Sequence, residues 1–304
     1  MSLIRLRLAE SNHGIFYAPM YAALELGFLT DEGLAIQFSS AAHGPDVADL
    51  LLRDEIDIGR AGPIRTLIMA ERGHPLINIA EVNSRAGFYL LARRATPHHQ
   101  WRDLTSTTVV TWQEPQIPWL CTEHLLRRAG VPRDSVQVIR DIPADKMMEA
   151  FCRGTGDYIT QFQPQTEILL ADGVARSVVS MAEAIGPIPF SSYVVTPQFL
   201  ERHPDRVQRF LRGFQRSLTW VHSHPAPEIA AAIAPFFPDV GRDLLERSVA
   251  RYLADQTWPK DPILRQAGFE YLQEVVEAGG IISRRYLYEE HVNTEFASRA
   301  ATSR

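Results

Sequence analysis

Lysine is almost missing from this chain of 304 residues. Lys146 and Lys260 are the only two, and the rest of the 31 basic side chains are arginines. Chemistry through a Schiff-base lysine is therefore confined to two positions. Cysteine is equally scarce. Cys121 and Cys152 cannot build a disulfide framework or a cysteine-rich metal site. Both fall in helix-like segments, where buried free thiols are the plain reading, although one bridge between them stays open. Long apolar runs are missing too: the most apolar stretch, Ile229 to Phe237, is short and broken by Pro235. No transmembrane helix is expected. Met1-Ser2 leads straight into a strand bearing Arg5 and Arg7, where a signal peptide would need an apolar core. The expected location is cytoplasmic if Met1 is the native start and periplasmic if a leader has been removed. A net charge of −5 argues against a general nucleic-acid-binding surface.

Signature motifs are equally sparse. No Gly-x-Ser-x-Gly or Walker-type run occurs. Gly154-Thr155-Gly156 lacks the third glycine of a dinucleotide fingerprint and follows a helix. His98-His99 and His222-x-His224 have no further ligands at metal-binding spacing. No metal and no cofactor is expected.

What is present is an ordinary globular composition, 45% hydrophobic and 22% charged, with length enough for two lobes. Strand and helix patterns alternate. Leu3–Leu8 and Leu34–Phe38 read as strands, Asp46–Leu52 as a helix, Ile56–Gly59 as a strand, Pro63–Arg72 as a helix stopped by Gly73, and Leu76–Val82 as a strand. That alternation predicts a parallel sheet. Gly87–Ala92 is a further apolar strand, and the polar run from Arg93 to Gln100 suits a crossing between lobes. A second series follows: strand Thr108–Trp112, helix Trp119–Arg128, strand Val136–Ile142, helix Ala144–Arg153 and strand Tyr158–Phe162, before a return strand at Tyr193–Val195. Val207, Phe210, Leu211, Phe214, Leu218 and Val221 recur at helical spacing. No repeat stands out. The expected fold class is α/β with two lobes. The first, 1–93 with 193–304, is discontinuous, and the second, 94–192, is inserted through two crossover segments that suit hinge closure on a ligand.

Asn12-His13 with Phe16-Tyr17, Gly27-Phe28-Leu29 through Gly33-Leu34, Glu55-Ile56-Asp57-Ile58-Gly59, Asp103-Leu104 with Val109-Val110, and Phe199-Leu200 with Pro204, Val207 and Phe210-Leu211 follow one another in order. Together they resemble the type II periplasmic-binding-protein fold. The resemblance is to the superfamily of nitrate-, taurine- and alkanesulfonate-binding proteins and thiamine-pyrimidine synthases. It implies a solute-binding protein of an ABC transporter, with an ABC permease as partner if the chain is exported. It also admits a cytoplasmic enzyme on the same scaffold, since fold does not give function. Eukaryotic thiamine-pyrimidine synthases carry a cysteine-rich motif that this chain lacks. Aromatic sulfinate desulfinases use a cysteine in the first loop, where this chain has His13. Arg60-x-Gly62 and Arg85-x-Gly87-Phe88 are similar to segments of that desulfinase.

Candidate ligand contacts follow. His13 lies at a strand-to-helix turn, able to donate to a ligand oxygen or to serve only the local backbone. Asn12 reads first as a turn residue, with Phe16 in the same loop. Arg60, ahead of Gly62 and a helix start, is either an anion clamp or one half of a structural ion pair. Asn83 and Arg85 close the next strand, Arg85 as the weaker candidate. In the second lobe Trp112-Gln113 and Gln161-Phe162-Gln163 end strands. Their amides suit polar ligand atoms and their rings suit a planar ligand or simple core packing. The expected function is closure on a small anionic or heteroaromatic solute of sulfonate, carboxylate or pyrimidine type.

Overall fold

Ten strands build two five-stranded sheets in a computed structural model that describes residues 3–41, 46–96, 98–113 and 116–302. The first sheet holds β1 (Ile4–Glu10), β2 (Leu34–Ser40), β3 (Ile58–Ala61), β4 (Ile77–Asn83) and β10 (Ser191–Val195), in the order β2-β1-β3-β10-β4. The second holds β5 (Tyr89–Ala92), β6 (Thr108–Val110), β7 (Gln137–Ile139), β8 (Tyr158–Gln161) and β9 (Ser177–Ser180), in the order β7-β6-β8-β5-β9. β1 runs parallel to β2 and β3, and β6 to β7 and β8. Each sheet also takes one antiparallel strand, β10 in the first and β5 in the second. The wholly parallel sheet expected from the alternation is therefore corrected. A strand is parallel to its neighbour when a helix carries the chain back between them, and β5 and β10 instead arrive along the two crossover segments.

The chain divides into two compact units, Met1–Arg85 with Pro187–Arg304, and Ala86–Gly186. These divisions fall ahead of the crossover positions expected near residues 93 and 192. All four residues of β5 are buried, and they pair on both edges with β8 and β9. Tyr89–Ala92 is a central strand of the second sheet, and the polar residues after it form a loop of the same unit.

The units repeat one another, which the sequence did not reveal. In the first, Asp57 accepts from the Arg7 amide at 2.7 Å and returns its own amide to the Arg7 carbonyl at 2.9 Å. In the second, Asp157 does the same with Thr108, at 3.0 and 2.8 Å. Thr66 and Thr166, each near the start of the helix that follows, donate to a backbone carbonyl three or four residues back. Gly73 and Gly173 end those helices at φ 75 and 67, a backbone conformation that favours glycine. Scattered shared positions such as these are too few for a repeat to show in the letters.

In the first unit the long helix Pro204–Ser223 buries all six residues of its apolar stripe. Phe210 and Phe214 set their rings edge-on to Tyr193 of β10, with centroids 4.7 and 4.9 Å away. β4 is an edge strand, and residues 257–262 cover it: the Ser84 amide donates to Thr257 O at 3.1 Å, and the Glu81 amide to Pro262 O at 2.8 Å. That answers the open hydrogen-bonding groups of an edge.

Candidate functional site

β1 and β3 end together. Their register pairs Glu10 with Arg60, and the amide of Ser11 donates to Arg60 O at 3.1 Å, which fixes the start of the first loop. The chain then forms a 3-10 turn at Ile15–Tyr17 and the helix Ala18–Glu25 with Pro19 in its first turn, where a missing N–H costs no helical bond. Tyr17 and Tyr21 lie four residues apart, on one side of this segment.

Arg60 is 1% exposed. Its guanidinium lies over the Tyr17 ring, Cζ 3.4 Å from the centroid, an arrangement stabilised by the ring quadrupole. Nη2 donates to the Asn12 carbonyl and stands 3.6 Å from Glu10 Oε2, within ion-pair range but beyond a good hydrogen bond. Nε is buried and has no acceptor among the described residues. Both readings of Arg60 thus meet in one side chain: it faces a carboxylate, and it keeps a donor unused.

Glu10 is fully buried. Oε2 accepts the Tyr21 hydroxyl at 2.6 Å, and Oε1 lies 2.7 Å from His13 Nδ1. The other ring nitrogen, Nε2, lies 2.9 Å from the Phe236 carbonyl. The imidazole packs on Phe237, centroids 4.8 Å apart. The hydrogen bond to Glu10 raises the His13 pKa above the usual imidazole value, against partial desolvation. Burial, then the Glu10 charge, pushes the Tyr21 phenol up as well, so this hydroxyl remains a donor.

The other first-unit candidates hold the loop in place. Asn12 contributes its carbonyl to Arg60, while its exposed side chain reaches Ser11 Oγ, at 3.4 Å. Phe16 is buried among Tyr17, Phe190 and Tyr252, in the 3-10 turn rather than in an open loop. Asn83 donates to the Phe16 carbonyl at 2.8 Å and accepts the Ser191 hydroxyl; Trp258 Nε1 also donates to Phe16 O, at 2.8 Å. Gly62 precedes the helix Pro63–Glu71, and a Cβ there would meet Phe190 O at 3.2 Å. Arg85 is partly exposed at the last position before the crossing.

In the second unit Trp112 sets its ring edge-on to Phe162 at 5.8 Å, and its Nε1 is buried with no acceptor among the described residues. Gln113 is exposed, and its carbonyl accepts from Arg140 at 3.2 Å. Gln113, Gln116, Arg140 and Asp141 line a hollow of about 370 Å³. Gln161 is buried in β8, and Gln163 accepts the Glu167 amide at 3.3 Å. The repeat supplies an internal comparison. Where β1 and β3 place Glu10 and Arg60, β6 and β8 continue to Thr111 and Thr160, whose buried hydroxyls pair at 2.7 Å. The scaffold therefore stands without charge at this position.

Glu10, Tyr17, Tyr21 and Phe236 were missed from the sequence. Glu10 and Tyr21 flank the loop motif and were readable as polar neighbours of His13. Phe236 comes from the far end of the chain and had no local signal.

A family model described as NMT1/THI5 like matches residues 15–228. YtlA of Bacillus subtilis, whose name marks it as a candidate binding protein, is 28% identical over 100% of this chain and 92% of its own length. The 4-amino-5-hydroxymethyl-2-methylpyrimidine phosphate synthase of Aspergillus parasiticus is 24% identical, over 79% of this chain and 74% of that protein. Among solved structures, the alkanesulfonate-binding protein SsuA from Xanthomonas axonopodis pv. citri, bound to MOPS, superposes with a TM-score of 0.74 at 16% identity. It covers 97% of this chain and 99% of its own. The two-sheet α/β architecture is that of the two-lobed periplasmic binding proteins, and the chain belongs to the NMT1/THI5-like family.

Proposed function

We propose that this chain is a solute-binding protein that captures a small anion for ABC-type uptake, with an ABC permease as its partner. One observation carries the reading: the Arg60 guanidinium is buried against Tyr17 with Nε unanswered, where the equivalent Thr160 needs only a hydroxyl partner. A buried donor without an acceptor costs free energy unless a ligand supplies one. An anionic oxygen is the strongest acceptor a guanidinium can meet. The alkanesulfonate-binding neighbour supports a sulfonate or carboxylate, and the Tyr17 ring beneath the guanidinium is compatible with a planar ligand such as a pyrimidine.

Calorimetric titration with ethanesulfonate, acetate and a hydroxymethylpyrimidine tests this. At least one should bind, and Arg60→Thr should weaken that binding about tenfold to a hundredfold, the loss of one charged hydrogen bond. Binding unchanged in Arg60→Thr would reject the assignment. The likeness to pyrimidine phosphate synthases favours an enzyme as the second reading. Turnover of any ligand that binds tightly, followed by mass spectrometry, would support that reading instead.

A further inference from the structure

We propose that His13 sets the charge of this site: as an imidazolium it ties the first loop to the Phe236 carbonyl and provides the one positive charge that Glu10 does not cancel, matching the site to a singly charged anion. The inference rests on the anion reading above.

Opposite a Glu10 carboxylate, the geometry calls for both ring protons. Nδ1 lies 2.7 Å from Glu10 Oε1 and 3.0 Å from the Tyr21 hydroxyl oxygen. The only proton on that hydroxyl is committed to Glu10 Oε2 at 2.6 Å. Nε2 lies 2.9 Å from a main-chain carbonyl, which can only accept. Beside a Glu10 carboxylate, either neutral tautomer would turn a lone pair toward an acceptor, whereas the cation donates at both ends. The groups facing the ring are Glu10 from β1, Arg60 from β3, Tyr21 from the helix Ala18–Glu25, and Phe236 with Phe237 just after the helix Ala226–Ile233. Glu10 favours the proton and Arg60 opposes it, and the direct hydrogen bond makes Glu10 the stronger influence. Glu10 and Arg60 cancel each other, so without the His13 proton the cluster is neutral. An entering anion would then meet no net attraction.

The test uses the full chain with ethanesulfonate, which does not titrate in this range. In histidine-labelled protein, with His13→Gln assigning the signal, NMR should show both His13 nitrogens protonated near neutral pH and a midpoint above the usual imidazole value. Glu10→Gln should bring that midpoint down. A His13 that titrates at or below the usual value overturns the imidazolium. Ethanesulfonate affinity should fall about tenfold per pH unit above the His13 midpoint, and His13→Gln should bind weakly with no such dependence. Inorganic sulfate, with two charges, should bind at least tenfold more weakly. A flat pH profile in the wild-type protein, or equal affinity for sulfate, overturns the charge match. Absence of binding at every pH overturns the anion reading and the coupling with it, while the NMR titration still decides the state of His13.

Discussion

Glu10 and Arg60 sit side by side, both buried, in a position that the second unit fills with two threonines. Removing one partner of a buried pair strands the other charge, at a cost of about 3–5 kcal/mol. Replacing both removes that penalty. Glu10→Thr should be strongly destabilising in urea unfolding and Arg60→Thr less so, since His13 and Tyr21 still face Glu10, and the double variant should be more stable than the sum of the single losses implies. Strict additivity would mean that the two charges do not interact. The cysteines give a simpler check: both are free, Cys121 buried and Cys152 exposed, and burial pushes the Cys121 thiol up. One thiol should react with a disulfide reagent in the native protein and both in denaturant. Arg60 stood out as a candidate because it lies at the end of a strand, just ahead of a glycine-proline helix start. Its pairing with Glu10 was not legible, since that depends on the β1–β3 register, a non-local fact that no window of residues contains.

Elements show the same division between local and non-local information. The helix Pro204–Ser223 was legible from its apolar spacing, and its core-facing residues are the expected ones. β9 was not read, because a four-residue edge strand bounded by serines carries too short a pattern. Gly213 shows why spacing alone does not finish a helix. A Cβ there would lie 2.8 Å from both Phe28 O and Leu29 Cδ2. Alanine gains about 1 kcal/mol of helix propensity, but overpacking against a backbone oxygen costs about 1–3 kcal/mol. Gly213→Ala should therefore lower the urea midpoint, and a raised midpoint would mean that the two segments separate freely. On β4, burial pushes the Glu81 carboxyl up to about 8, the nearby Arg265 only partly offsetting it. The folded state then holds a proton that the unfolded state has lost. Stability from this group is full below the usual carboxylate range and declines as pH rises toward about 8. Thermal midpoints should fall over that interval, and Glu81→Gln should flatten the fall. His13, also shifted upward, adds a decline in the same direction at higher pH, beginning above the usual imidazole value.

The whole molecule is one motif used twice, with the second unit inserted into the first. Each unit is closed at its own cut ends. In the inserted unit, Tyr89 pairs with Ser180, and the Met181 amide donates to Phe88 O at 3.3 Å. In the first unit, the Ile188 amide donates to Ser84 O and the Phe190 amide to Asn83 O, both at 2.9 Å. Ends held together in this way are where a domain can be removed or inserted without disturbing a core. Residues 86–186 should therefore fold alone with a cooperative melt. The first unit, with a short Gly/Ser linker joining Arg85 to Pro187, should do so as well. Glu10, His13, Tyr21 and Arg60 all belong to the first unit. Ethanesulfonate at about a hundred times its Kd for a given fragment stabilises it by about 2.7 kcal/mol. It should raise the melting point of the joined first unit and leave the excised second unit unchanged. A shift confined to the second unit would move the site to Trp112, Gln113 and Arg140, and Arg60 would then be an ion pair and nothing more.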